Sequence, residues 1–259
     1  CLNVVTACAT GAHCIGTALR DIRHGYIDAA LVGGTEESVS PICIAGFTNL
    51  SALTRAEDPK EASLPFDARR GGFVAGEGAG ALVIESLESA LARGAAPIAE
   101  ITGFGSTGDA YHMTAPDPEA TAITAAMAAA LAEGGFTPAD LGHLNAHGTG
   151  TPANDATESK ALANLMGGTE AAASVPVTSV KGTTGHMLGA AGAVEAIVCA
   201  LSVARDAVPP TAGFAEAAED CPVAVVTEAM TDYPQKVALS TSLGFGGHNA
   251  ALAFSPYRG

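Results

Sequence analysis

Basic residues are scarce in this chain: 12 Lys and Arg stand against 27 Asp and Glu, a formal charge of −15 over 259 residues. Nucleic-acid binding needs a concentrated cationic face to neutralise phosphates, and the one adjacent basic pair, Arg69-Arg70, does not supply it. Docking of an acidic partner would need a local patch working against the overall field. Long apolar runs are missing as well. None approaches the roughly 18–20 residues that cross a bilayer, and no charged segment with an apolar core marks a leader, so no membrane span is expected. The six cysteines, Cys1, Cys8, Cys14, Cys43, Cys199 and Cys221, include no C-x-x-C pair, which argues against a zinc knuckle or a disulfide framework. Their apolar surroundings suit a reducing compartment, and a cytoplasmic location is expected.

What is present is small and apolar. The chain is 48% hydrophobic with 31 glycines lying between periodic segments, and only 5% of it is aromatic. That composition points to closely packed layers of helix and sheet, an α/β protein. Leu2 to Thr6 reads as a strand. The run with Ile15, Leu19 and Ile22 on one face reads as a helix ending near His24-Gly25, and Asp28 to Gly34 as a buried strand. A loop-rich region is expected from Glu36 to Gly78, then a strand over Ala79 to Glu85, a short helix to Arg93 and a strand near Ile98 to Gly105. Helices are expected over Glu119 to Glu133, after Pro152, and through Val194, Ile197 and Leu201. Strands are expected up to His147, over Val175 to Ser179, near Val237 to Ser242 and over Asn249 to Phe254. Because the chain starts at Cys1 with a strand running straight into a reactive residue, it reads as part of a longer protein.

Chemistry concentrates in a few turns. Cys8, in Thr6-Ala-Cys8-Ala-Thr-Gly11, falls between a strand-like segment and a helix start, where free N–H groups and the helix dipole favour a thiolate. His147 lies in Asn145-Ala-His-Gly-Thr-Gly-Thr-Pro152 and His186 in Lys181-Gly-Thr-Thr-Gly-His186, each beside glycines that let backbone approach a ligand. A buried cysteine or a local cap would explain any one of them alone; the three together point to carbon–carbon bond formation on a thioester. Metal binding is the rival use, but no third histidine or carboxylate stands at ligand spacing beside the histidines. Lys181 and Glu158 are read as an ion pair between the two histidine loops, with exposed surface charges as the alternative. Gly244-Phe-Gly-Gly247 offers a flexible turn with one bulky ring, a gate or an ordinary hairpin.

These motifs, with Pro65-Phe-Asp67, Arg70-x-Gly-Phe-Val-x-Gly-Glu-Gly-Ala-Gly80, Asp109-Ala-Tyr-His-Met-Thr114 and Cys8-x-x-Gly-x-His-x-Ile-Gly16, stand in one order over nearly the whole chain. In this the chain resembles the β-ketoacyl-acyl-carrier-protein synthases of the elongating type II. The resemblance implies a thiolase-like fold of five α-β-α-β-α layers with an incomplete N-terminal half. Residues 1–95 would finish that half, and 96–259 would form the C-terminal half. It implies that Cys8 is acylated by the growing chain and that His147 and His186 hydrogen-bond a malonyl thioester carbonyl. Lys181 and Glu158 would support them. The N–H groups of Cys8 and Phe245 would form an oxyanion hole, with the Phe245 ring gating beside Phe47. Thr114, Thr149 and Thr151 would hold pantetheine.

The implied partners are an acyl-carrier protein and a second copy of the intact enzyme, with no resident cofactor, the substrates riding on phosphopantetheine. Two positions depart from the family pattern: Ser51 stands where a carrier-facing arginine is frequent, and Leu243 replaces a phenylalanine before the Gly-Phe-Gly-Gly turn. The reaction implied is decarboxylative condensation in fatty acid elongation. A polyketide-type ketosynthase shares the Cys-His-His set and is the alternative, as is an inactive truncated chain. A chain-length factor would lack Cys8, and a Cys-His hydrolase would need open water access.

Overall fold

A computed structural model describes residues 1–259. Leu2 to Thr6 forms no strand, and Leu2 and Val5 are exposed; strand propensity alone does not supply a ladder partner. One 3-10 turn, Ala7–Ala9, leads into helix α1 (Thr10–Arg23), which buries Ile15 and Leu19 as their spacing predicts. Strand β1 (Ala29–Glu36) pairs antiparallel with β2 (Gly78–Glu85) in a two-stranded sheet. Between them, where only loops are expected from the sequence, Ser40-Pro41 opens helix α2 (Pro41–Asn49). Its apolar residues surround it instead of lining one stripe, so the sequence carries no 3.6-residue signal there.

The chain continues through α3 (Leu87–Ala92), β3 (Ala99–Gly108), α4 (Thr121–Glu133), β4 (Leu141–Asn145), α5 (Pro152–Met166) and α6 (Thr169–Ala172). Then follow β5 (Pro176–Thr178), α7 (Lys181–Thr184), α8 (Ala191–Ala204), β6 (Ala224–Val225), β7 (Val237–Gly244) and β8 (His248–Pro256). Six of these strands form one mixed sheet in the order β3-β8-β7-β4-β5-β6. Strand β4 runs parallel to both β5 and β7, which forces the helical crossovers α5 and α8, whereas β8 is antiparallel to β3 and β7.

Layering follows from the two-residue period of the strands. On β3, a Cβ at Gly103 or Gly105 would lie 1.9 Å from the carbonyl oxygen of Ala130 or Ala126, so α4 rests directly on that face. Phe104 between them points to the opposite face and packs on Gly16 of α1. There α8 joins α1, its Ala196, Cys199 and Val203 buried with Ala238, Leu252 and Phe254 of the large sheet and with Val32 and Ile84 of the small one. The order is thus α4 and α5, the six-stranded sheet, α1 with α8, and the two-stranded sheet. The outer face of the small sheet is bare of helix: Leu31 is 79% and Val83 69% exposed.

Candidate active site

The three reactive side chains arrive from three places in the layers. His147 follows the C-terminal end of β4, His186 follows β5 and α7, and Cys8 sits in the turn before α1. Ligands in open α/β sheets collect at the carboxyl ends of parallel strands, which is where β4 and β5 deliver their loops. The Cys8 sulfur and a ring nitrogen of each histidine all lie within 4.8 Å of one another, and all three residues are buried. The imidazoles meet edge to face at 5.0 Å, and the row of rings continues through Phe73 to Phe47 at 5.2 and 5.3 Å.

Each histidine loop is tied by its backbone. His186 N donates to Val74 O (2.7 Å) and its carbonyl accepts from Gly76 N (3.0 Å). The His147 loop hangs on Glu158, which accepts from His147 N (2.7 Å), Gly148 N (2.6 Å), Thr241 Oγ1 (2.8 Å) and Asn154 Nδ2 (2.9 Å). With its oxygens filled this way, Glu158 is not the partner of Lys181, and the expected pair is corrected. The lysine is 1% exposed, ion-pairs with Glu195 of α8, and donates to His147 O (2.6 Å). Its Nζ also lies 3.2 Å from His147 Nδ1. An ammonium only donates, so Nδ1 accepts and the ring proton sits on Nε2.

Electrostatics corrects a second expectation. The N–H groups of Phe245 and Cys8 approach the sulfur and Lys181 lies near, all favouring thiolate, yet burial outweighs them and pushes the Cys8 thiol up to about 11. Burial first, then Lys181, holds His147 and His186 well below the usual imidazole range, so both rings are neutral. A Cys-His-His cluster has the composition of a metal site, but the lysine ammonium against His147 opposes any added cation.

The remaining expected residues line the same cleft: Phe47, Thr114, Thr149, Thr151 and Phe245, together with Leu243. Thr149 and Thr151 share a hydroxyl hydrogen bond of 2.8 Å. The turn carrying Phe245 is latched by Asp109, whose carboxylate accepts from Asn249 Nδ2 (2.5 Å) and whose N–H donates to Gly247 O (2.9 Å). Sequence reasoning missed Glu195 and Phe73 as parts of the site. For Glu195 the signal was there, a lone acid on a helix otherwise built of small and apolar residues.

Comparison with known proteins agrees with this geometry. Residues 2–90 match the β-ketoacyl synthase N-terminal domain and residues 98–215 its C-terminal domain. The 3-oxoacyl-acyl-carrier-protein synthase 2 of Staphylococcus aureus (strain COL) is 49% identical over 98% of this chain and 61% of its own length. That of Synechocystis sp. (strain ATCC 27184 / PCC 6803 / Kazusa) is 46% identical over the same shares. The chain thus spans about 61% of the curated relatives it matches. Among solved structures, a β-ketoacyl synthase from Burkholderia phymatum STM815 superimposes with a TM-score of 0.91 at 36% identity, over 98% of this chain and 61% of that one. The ketosynthase of AntDE:AntF, solved with its type II polyketide acyl-carrier protein and bound to the hexaketide, gives 0.95 at 35% identity, over 99% and 63%.

Proposed function

The chain belongs to the β-ketoacyl synthase family, and on that footing we propose that the intact protein carries out decarboxylative condensation of an acyl thioester with a malonyl thioester in fatty acid elongation. The observation that carries the proposal is the meeting of one thiol and two neutral imidazoles within 4.8 Å, with two backbone N–H groups aimed at the sulfur. Cys8 attacks the acyl carbonyl. Because its thiol is held protonated by burial, attack is coupled to loss of that proton, which the neutral His186 ring can accept, His147 having its proton on Nε2 and Lys181 at Nδ1. The N–H groups of Cys8 and Phe245 receive the charge on the carbonyl oxygen, and the carrier thiol departs with a proton.

A malonyl thioester then enters the cleft beside Thr114, Thr149 and Thr151, which would hold its pantetheine arm. His147 Nε2–H and His186 donate to its thioester carbonyl. Loss of carbon dioxide leaves an enolate, whose oxygen these donors stabilise by roughly 3 kcal/mol each. Its carbon attacks the acyl-Cys8 carbonyl, the carbon–sulfur bond breaks, the β-ketoacyl thioester leaves, and the Cys8 thiolate released takes one proton from solvent to restore the thiol. The Phe245 ring, beside Phe47 in the same cleft, would gate water out. No resident cofactor is needed; the carbon units arrive on an acyl-carrier protein. We further propose that the intact enzyme is cytoplasmic and pairs as a homodimer in which the unpaired Leu2–Thr6 segment gains a strand partner.

Cys8→Ala in the intact protein is expected to abolish condensation while leaving decarboxylation of malonyl carrier, read as β-ketoacyl product and released carbon dioxide. Condensation surviving in that variant would refute the assignment. The fit to the AntDE:AntF ketosynthase favours one second reading, polyketide extension. Mass spectrometry after incubation with saturated and with β-ketoacyl carriers separates the two: loading of saturated chains alone supports fatty acid elongation, and loading of β-ketoacyl chains supports polyketide extension.

A further inference from the structure

His13 belongs to the Cys8-x-x-Gly-x-His run yet takes no part in the steps above. Its ring is buried, and both nitrogens are engaged. Nδ1 lies 2.9 Å from Thr6 Oγ1 and 3.1 Å from Ala9 O, and Nε2 lies 2.9 Å from Ser106 Oγ on β3. A carbonyl oxygen only accepts, so Nδ1 carries the proton. In a neutral ring Nε2 is then bare, and the Ser106 hydroxyl must donate to it. Burial, with His248 at a ring distance of 6.4 Å and Arg20 nearby, holds His13 below the usual imidazole range and so keeps it neutral.

The residues that His13 grips bracket the nucleophile. Between Thr6 and Cys8, Ala7 has φ of +50°, a left-handed conformation that alanine adopts only under constraint. Thr10 Oγ1 accepts from Thr6 N (2.9 Å) and donates to Ala7 O (2.8 Å), but these bonds close the turn on itself. The His13 ring carries a bond from that turn to β3, and it does so through one hydroxyl. On the other side Thr6 O packs where a Cβ at Gly244 would be, so the same turn abuts the loop that offers the Phe245 N–H.

We propose that His13 is a positioning residue for Cys8: held as its Nδ1–H tautomer by the Ser106 hydroxyl, it fixes the Thr6–Ala9 turn against β3 and with it the direction of the sulfur. This rests on Cys8 being the acylated residue. In the intact protein with ¹⁵N-labelled histidine, the His13 signal, identified by its loss in His13→Asn, is expected to show a protonated Nδ1 and a bare Nε2. Acylation of Cys8 by an acyl-coenzyme A thioester, timed by mass spectrometry, is expected to slow about five- to tenfold in Ser106→Ala, the worth of one neutral hydrogen bond, and to recover in Ser106→Thr. A role in folding alone would lower the melting temperature without this recovery of rate at matched folded fraction. A proton on Nε2 in the parent, or parent-rate acylation in folded Ser106→Ala, overturns the inference. Should Ser106→Ala not fold, His13→Asn replaces it, because its amide reaches Ala9 O but not Ser106; parent-rate acylation there overturns the inference equally. Failure of the condensation reading looks different, since Cys8 would then stay unacylated in the parent.

Discussion

Lys181 is the residue on which most of the site's charge depends. Its ammonium sits 1% exposed against Glu195, whose Oε2 has no hydrogen-bond partner, and against His147. Removing one member of a buried pair strands the other charge, which costs about 3–5 kcal/mol, whereas replacing both with apolar groups of similar volume is often neutral. Lys181→Met is therefore expected to lower stability by about 3–5 kcal/mol in urea unfolding, and Lys181→Met with Glu195→Leu to regain most of it without regaining activity. A double variant as unstable as the single one would show that the pair is not the unit. A second buried group, His143, is pressed down to about 3 by burial and bonded to Thr178 Oγ1 at 2.8 Å. Its folded pKa lies below its unfolded one, so between about pH 3 and 6.5 the unfolded chain holds a proton that the folded chain refuses. Stability then falls as pH drops below 6.5, by about 1.4 kcal/mol per unit from this residue, and the effect vanishes above 6.5. His143→Gln, which can keep a bond to Thr178, is expected to remove that slope when unfolding free energies are compared at pH 4.5, 5.5 and 6.5.

Glycine decides how closely the elements pack, and two positions show opposite signs. Gly105 of β3 sits under α4, where a methyl group would lie 1.9 Å from Ala126 O. Neither a strand hydrogen-bonded along its length to β8 nor a helix backbone yields cheaply, so Gly105→Ala is expected to cost about 1–3 kcal/mol or more. Gly46 of α2 meets nothing within 4 Å and has ordinary helical φ, so Gly46→Ala is expected to stabilise by about 0.5–1 kcal/mol. Urea midpoints moving in the same direction would contradict the packing account. The same scale shows what the sequence revealed. Helices with a one-sided apolar stripe, such as α1, and strands bounded by turn residues were legible because their signal is local. Helix α2 was not, since it is apolar on all sides, and neither was the failure of Leu2–Thr6 to pair, which depends on a neighbour. At the site, Cys8, His147 and His186 were legible from their glycine turns. The pairing of Lys181 with Glu195 and the upward push on the Cys8 thiol were not, because both arise from burial by distant segments.

Across the whole molecule, the outer side of the small sheet is a face of the layered stack that no helix covers. It presents Ala29, Leu31 and Thr35 beside Ala79, Ala81 and Val83, with Leu31 directly opposite Val83; the charged residue on that side, Glu85 opposite Ala29 at its end, is ion-paired with Arg93. Both strands also have an unpaired edge, as each pairs only with the other. Flat apolar strands with free edges are templates for association, and proteins usually blunt them with lysine or proline. A formal charge of −15 opposes self-association through repulsion that extends about one Debye length, roughly 10 Å at 0.1 M salt and 3 Å at 1 M. The two effects predict a definite salt dependence for this stretch of chain on its own. Sedimentation velocity is expected to show association that grows with protein concentration and strengthens as sodium chloride is raised from 0.01 to 1 M. Leu31→Lys with Val83→Lys is expected to return it to monomer at every salt concentration, because it puts two ammonium groups at the centre of the bare face while leaving the buried partners Val32 and Ile84 in place. Association that weakens with salt, or that persists in the double variant, would place the contact elsewhere, on a charged surface or on the exposed Leu2–Val5 segment.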